Sequence, residues 1–322
     1  MIGFDLISEL NDVRTTVDYR LKATPPATDM SLRAQVLVSV LILHVMMTSA
    51  LDKGEILDMS YPFGESTLYW PGEASFELDI RVRGPSGVLP WYEANAFSSP
   101  EHGGTHIDAP SHFSEGKQRV DDIPVNKLVG PAIRIDITDK AKANRDYEMT
   151  SQDLHDWEAA HGEIPVDSLL FVYTGWGAFY PDRLAYFGSA RNDTYLNERN
   201  ESVLHFPGVA PEAASWLVGN RKIAGLGIDT PSIDYGQSTQ FMTHQILLGA
   251  NIYGLENVAN VDKLPNTGAT VYSLPITIED GSGAPARIIA VLDEDGEGSV
   301  TASPPKSLLV TLLGFALFVV DF

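Results

Sequence analysis

Three imidazoles and a carboxylate fall within eleven residues, 102–112, of the run Glu101-His102-Gly103-Gly104-Thr105-His106-Ile107-Asp108-Ala109-Pro110-Ser111-His112-Phe113. The pattern is H-x-x-x-H-x-D-x-x-x-H. Neutral imidazole nitrogens and a carboxylate oxygen form the donor set that suits zinc or manganese. The chain has only eight histidines, so three beside one aspartate point to a site rather than to isolated structural histidines. Gly103, Gly104 and Pro110 argue against a continuous helix. The run predicts a turn leading into a short extended segment, whose period of two aims His106 and Asp108 to one side. His102 reaches the same ion from across the glycine turn. His112, four residues beyond Asp108, is placed to act as an acid or base without being a ligand. A second pair, His244 and Glu256, is separated by a helix-plus-turn distance and carries little weight alone.

The elements that must position these groups can be read coarsely. Ile56–Pro62 reads as a strand entering a turn, and Phe76–Val82 alternates like a half-exposed strand. Leu128–Asp136, Leu169–Thr174 and Ile223–Ile228 are apolar runs of strand length. Ser151–His161 has helical spacing, with Leu154 and Trp157 on one side. Pro211–Val218 reads as a helix with proline at its start, where the missing N–H costs little. Strands and helices follow in mixed order, and no G-x-G-x-x-G follows any strand, so dinucleotide binding is disfavoured.

The first run resembles the H-x-G-T-H-x-D-x-P-x-H signature of the cyclase-like metal-dependent hydrolases, a family that includes bacterial-type kynurenine formamidase and isatin hydrolase. Every fixed position of the signature is met. Further elements of the family recur in order: the Trp70-Pro71-Gly72 turn, Thr174-Gly175-Trp176, Pro207-Gly208, a G-x-D-x-x-S-x-D element ending at Asp234, and H-x-x-L-L with E-N at His244 and Glu256-Asn257. A closing strand pair with a glycine-rich turn around Gly281–Ala290 completes the likeness, which covers roughly Ile56 to Leu292.

The resemblance implies a single compact α/β domain of the swivelling β/β/α (cyclase-like) type with a mixed sheet, assembled as a homodimer or larger. It implies one or two divalent ions per chain, zinc or manganese. His102 and His106 would hold one, His244 and Glu256 the other, with Asp108 bridging and His112 transferring protons. Tyr69, Trp70 and Phe97 would line an apolar pocket. The implied activity is metal-dependent cleavage of a C–N amide bond in a small aryl substrate by activated water. N-formylkynurenine, giving kynurenine and formate, fits this, and so does ring opening of isatin or another cyclase reaction. A secreted metal-binding protein without catalysis is the remaining alternative.

Composition bounds the rest. The 322 residues suffice for one large α/β domain or two small ones. A formal net charge of −21 disfavours nucleic acid as a partner, since phosphate contacts need a basic face. There is no cysteine, which excludes disulfides and thiolate chemistry. Residues 1–29 are irregular. Residues 30–50 combine Arg33, an apolar run from Val36 to Met47 and small residues at Thr48-Ser49-Ala50, as in a secretory signal peptide. The other readings of that segment are an uncleaved anchor and a buried amphipathic helix. The sequons at Asn192 and Asn200 agree with secretion. The hydrolase domain is expected over 55–292. Residues 293–322 form an acidic, glycine-containing linker and an apolar tail, either a GPI-attachment signal that would tether the protein to a membrane or a terminal element packed on the domain.

Overall fold

The computed structural model describes residues 54–293. The extension 1–29, the segment 30–50 and the tail beyond Asp293 lie outside the described residues.

The strands are β1 (Ile56–Asp58), β2 (Glu77–Ser86), β3 (Leu89–Ser98), β4 (His106–Asp108), β5 (Val129–Asp136), β6 (Glu148–Met149), β7 (Leu169–Tyr173), β8 (Gly208–Val209), β9 (Gly225–Ile228), β10 (Tyr253–Glu256), β11 (Ala269–Pro275) and β12 (Gly283–Leu292). The helices are α1 (Thr138–Ala143), α2 (Ser151–His161), α3 (Arg183–Phe187), α4 (Pro211–Asn220) and α5 (Met242–Gly249).

Eight strands form one sheet in the order β1-β12-β11-β5-β7-β9-β10-β4. β4 also pairs with β12, which closes the sheet on itself. β5, β7, β9 and β10 run parallel, whereas β4, β11 and β12 join antiparallel. The result is a mixed α/β domain built on a closed, barrel-like sheet.

β7 shows why such a sheet forms from this sequence. Its residues alternate between two cores, with Leu169 and Phe171 facing one and Leu170 and Val172 the other. A strand covered on both faces needs an unbroken apolar run, which is what Leu169–Tyr173 supplies. The inner core fills the barrel. β12 contributes Ala284, Ala286, Ile288 and Ala290 to it, mostly small residues that leave room for Phe171 and Tyr253 inside a narrow closed sheet. The outer core lies between β5, β7 and β9 and the helices α2, α4 and α5, through Leu154, Trp157, Leu217 and Leu247.

The helix expected at Ser151–His161 forms over those residues, opened by a capping box in which Thr150 and Asp153 satisfy each other's backbone N–H groups. The helix expected at Pro211–Val218 continues to Asn220. The strand expected to enter a turn within Ile56–Pro62 forms over Ile56–Asp58. The segment from Phe76 differs most. It extends to Ser86, pairs only with the unanticipated strand β3, and forms a two-stranded ribbon outside the barrel. Among the described residues no helix is long and apolar enough to cross a membrane.

Candidate metal centre and its cavity

β4 lies between β10 and β12 and is buried at all three positions. His106 and Asp108 are two residues apart on it, so their side chains leave the same face. The register sets Glu256 of β10 directly across from His106. His102 precedes β4 in a loop and His244 is the third residue of α5. One donor atom each from His102, His106 and Asp108 lie within 4.8 Å of one another, and so do donors from Asp108, His244 and Glu256. Asp108 belongs to both groups. Its Oδ1 faces His102 Nδ1 at 2.7 Å and His106 Nε2 at 3.1 Å, while its Oδ2 faces His244 Nε2 at 3.1 Å. The opposite oxygens of Glu256 lie 3.1 Å from His244 Nε2 and 3.6 Å from His106 Nε2.

Whether this set fits a cation is tested by the far side of each ring. His106 Nδ1 donates to the Gly104 carbonyl at 2.9 Å. His244 Nδ1 donates to Asp234 at 2.6 Å. The Ser282 hydroxyl donates to Glu101 at 2.6 Å, so its oxygen accepts from His102 Nε2 at 3.0 Å. Every outward nitrogen has an acceptor, so each inward nitrogen can give up its proton and offer its lone pair to a cation held between the shared carboxylates. That is the tautomer arrangement metal-ligating histidines require. Asp108 and Glu256 are almost wholly buried, and buried carboxylates are normally paired or metal-bound. The residues fit one or two divalent cations.

Two glycines make the approach feasible. Gly104 has φ of 52°, a left-handed conformation that turns its carbonyl back to His106. A Cβ on Gly283 would sit 2.4 Å from His102 Cε1.

The electrostatics follow from crowding. Burial alone pulls His106 down, but the hydrogen bond and charge of Asp108, with Glu256 and the Gly104 carbonyl, raise it to about 9. His244 is likewise pulled down by burial and raised well above the usual histidine value by the hydrogen bonds it donates to Asp108, Asp234 and Glu256. Burial pushes Asp108 up, yet the surrounding imidazoles, His102 first, hold it well below the usual carboxylate range. His112 behaves differently. It ends a 3-10 turn, Pro110–His112, and stacks on His102 with centroids 3.8 Å apart. Burial pushes it down to about 4, with the neighbouring imidazoles adding to burial against the opposing charge of Asp108. His112 is neutral at pH 7 and free to accept a proton.

These groups line a cavity of about 470 Å³, a size suited to one small ligand. Its apolar wall comprises Leu68, Trp70, Phe113, Phe187, Tyr195 and Phe241. Of the expected pocket aromatics, Trp70 takes this place. Tyr69 does not line the cavity. It is turned behind the site, bridged to Gly103 and hydrogen-bonded through its hydroxyl to Ser99 at 2.8 Å. Phe97 does not line it either, because it lies on the external ribbon with 61% of its surface exposed. An antiparallel partner strand that the local sequence did not announce carries it away from the barrel.

Other groups escape a reading by motif. Asp234 accepts from the backbone N–H of Thr243 and His244 and orients the His244 ring. It thereby caps α5, whose own N-cap, Phe241, offers no side chain for the purpose. The last aspartate of the G-x-D-x-x-S-x-D element was its only signal. Glu101 and Ser282 hold His102 from positions 181 residues apart, and Phe113 and Phe241 face the cavity beside His244.

Comparison with known proteins agrees with this geometry. Isatin hydrolase of Roseibium aggregatum is 33% identical over 211 residues, spanning 63% of this chain and 76% of that protein. Kynurenine formamidase of Bacillus cereus is 28% identical over 240 residues, spanning 73% and 96%. The crystal structure of an isatin hydrolase bound to the product analogue thioisatinate superposes with a TM-score of 0.67 at 30% identity, covering 82% of this chain and all of that one. The Cyclase family model matches residues 57–235, from β1 through the barrel to the aspartate that holds His244. With the signature run, the closed sheet and the paired donor groups in register, the chain belongs to the Cyclase family.

Proposed function

We propose that this protein is a metal-dependent hydrolase that cleaves a C–N amide bond in a small aryl substrate. The observation that carries the reading is the paired donor set around Asp108, opening onto an aromatic-walled cavity beside His112, which stands outside both donor groups. When bound, a divalent cation supplies Lewis-acid polarisation and lowers the pKa of water from ~15.7 toward ~7. Zinc suits the nitrogen and carboxylate donors, and manganese is the second choice. His112 takes the proton of the attacking water and returns it to the leaving nitrogen. The aromatic wall holds the aryl ring and excludes bulk water, which strengthens every charge interaction in the cavity.

Between open and cyclic aryl amides, one feature favours the cyclic, neutral kind. No lysine or arginine lines the cavity among the described residues, whereas Glu73, Glu101, Asp108 and Glu256 do. N-formylkynurenine carries an α-ammonium that these acidic groups could match, but also an α-carboxylate that would find no side-chain cation there and would lie among them. Isatin carries none, and the isatin hydrolase relatives are consistent with that preference.

Turnover of metal-loaded protein on isatin, N-formylkynurenine, formanilide and an aliphatic formamide tests both levels. Aryl amides are expected to be cleaved in preference to the aliphatic one, and isatin in preference to N-formylkynurenine. No cleavage of any aryl amide by protein with stoichiometric metal would leave only a metal-binding role.

A further inference from the structure

Asn257 follows Glu256 on the chain and takes no part in the proposed chemistry. It is only 4% exposed, and it lines the cavity. Its backbone leaves β10 with φ of 52°, in the left-handed region, and is fixed at both polar groups. The N–H donates to the Thr230 carbonyl at 2.9 Å, and the carbonyl accepts from the Thr105 hydroxyl at 2.7 Å. Thr105 belongs to the same run as His102, His106 and Asp108, so the kink is tied to the metal centre. The side chain is held at one end. Its Oδ1 accepts from the Tyr186 hydroxyl at 3.0 Å, and that hydroxyl also reaches the Asp229 carbonyl at 2.9 Å. The Nδ2 group has no hydrogen-bond partner among the described residues, yet it is not sealed in the core. It opens on the cavity. A buried amide without a partner is costly, and glycine would take the left-handed conformation without carrying one. The carboxylates of Glu101, Asp108 and Glu256 line the same cavity. They would repel an amide oxygen turned towards them and favour its N–H groups.

We propose that the Asn257 side-chain amide donates to the carbonyl oxygen of the amide substrate and holds it as the carbonyl carbon turns tetrahedral. The assignment rests on the hydrolase reading of the site. When water adds to that carbon, the π pair of the C=O bond moves onto oxygen, and a hydrogen bond to the oxygen strengthens as its charge grows. The pair returns as the C–N bond breaks and the nitrogen leaves with the proton that His112 delivers. A neutral donor suits this place, because it steadies the oxyanion without adding a cation that would compete for Asp108 and Glu256. Thr230, Thr105 and Tyr186 hold the amide before substrate arrives, so little reorganisation is needed during the reaction. Tyr186 and Thr105 are thereby positioning residues.

Turnover of isatin and of formanilide by metal-loaded wild type, Asn257→Gly and Asn257→Asp tests the assignment. Glycine and aspartate both accept the left-handed conformation, and neither offers an N–H to the cavity. Aspartate also keeps an oxygen for Tyr186. Both variants are expected to retain metal and cooperative melting, and to lose about 10²–10³-fold in kcat with KM little changed. A second reading needs no turnover. Isatin carrying carbon-13 at the amide carbonyl is expected to show a lower carbonyl stretching frequency when bound to His112→Ala protein than when bound to His112→Ala/Asn257→Gly protein. Near-wild-type kcat in either Asn257 variant, or the same frequency in both proteins, would overturn the assignment. Loss of metal or of cooperative melting in Asn257→Gly beside a fully active Asn257→Asp would reduce Asn257 to a structural kink. A wild type that cleaves no aryl amide would instead remove the hydrolase reading, and this assignment with it.

Discussion

His112 and His106 lie on the same short run, and the proposed function gives them different work that single substitutions separate. His112 stacks on His102 and makes no contact with the shared carboxylates as a donor, so His112→Ala is expected to keep its metal. It should lower kcat by about 10²–10⁴-fold, the usual effect of losing a positioned acid–base. His106→Ala removes a donor to the ion itself and should cost both metal and activity. Metal content by elemental analysis beside kcat distinguishes them, and loss of metal in His112→Ala would make His112 a ligand. A second expectation follows from the charges. His106, at about 9, and His244, raised well above the usual value, are protonated at pH 7 when no cation is bound. A cation must displace those protons, so uptake at pH 7 should release about two of them. Affinity should fall as the pH is lowered, because protons compete for the same lone pairs. Calorimetric titration in two buffers of different ionisation enthalpy measures the number released, and none released would mean both rings were already neutral.

At the scale of elements, the site depends on where β4 and α5 are held. β4 is three residues long and gains its rigidity from pairing on both sides, which sets Asp108 opposite Gly254 and Gly283 and His106 opposite Glu256 and Pro285. α5 is held by Asp234, whose carboxylate serves both the helix N-terminus and the His244 ring. Asp234→Asn keeps one acceptor oxygen, for the Thr243 N–H, but replaces Oδ2, which accepts from both the His244 backbone N–H and the His244 ring, with an amide NH2. Metal affinity at the His244–Glu256 site is expected to drop about 10–100-fold, while the metal-free protein loses only about 1 kcal/mol, the worth of one capping hydrogen bond. Chelator competition and thermal melting together check this. A large loss of stability with unchanged affinity would reduce Asp234 to a helix cap.

On the scale of the whole molecule, the described residues form one closed sheet with a helical layer and an external ribbon. We propose further that the chain is exported and that its mature form begins near Leu51, after the apolar run and Thr48-Ser49-Ala50. Asn192 and Asn200 are exposed, so both sequons are accessible to a glycan. N-terminal sequencing of protein recovered from the medium is expected to begin close to Leu51. An intact Met1 on protein retained in the cytosol would count against export.

The residue types and local periods carried much of this protein into view. His102, His106, Asp108 and His112 are legible because ligand chemistry depends on side-chain identity, and their clustering is local. The Leu169–Tyr173 strand and the α2 and α4 helices are legible because apolar periodicity is local too. What the tertiary structure decided is everything that joins distant residues. His244 and Glu256 meet Asp108 only because β10 pairs with β4 in one register, and a shift of one residue would turn Glu256 to the other face. Ser282 reaches His102, and Asp234 reaches His244, through hydrogen bonds that no spacing rule encodes. The fate of Tyr69 and Phe97 shows the same limit. Both are aromatics near the signature run, but a bridge to Gly103 turns one behind the site and the pairing of β2 with β3 carries the other away from the cavity. Side-chain chemistry is written residue by residue, whereas register and burial are properties of contacts between segments, and only the folded chain supplies those.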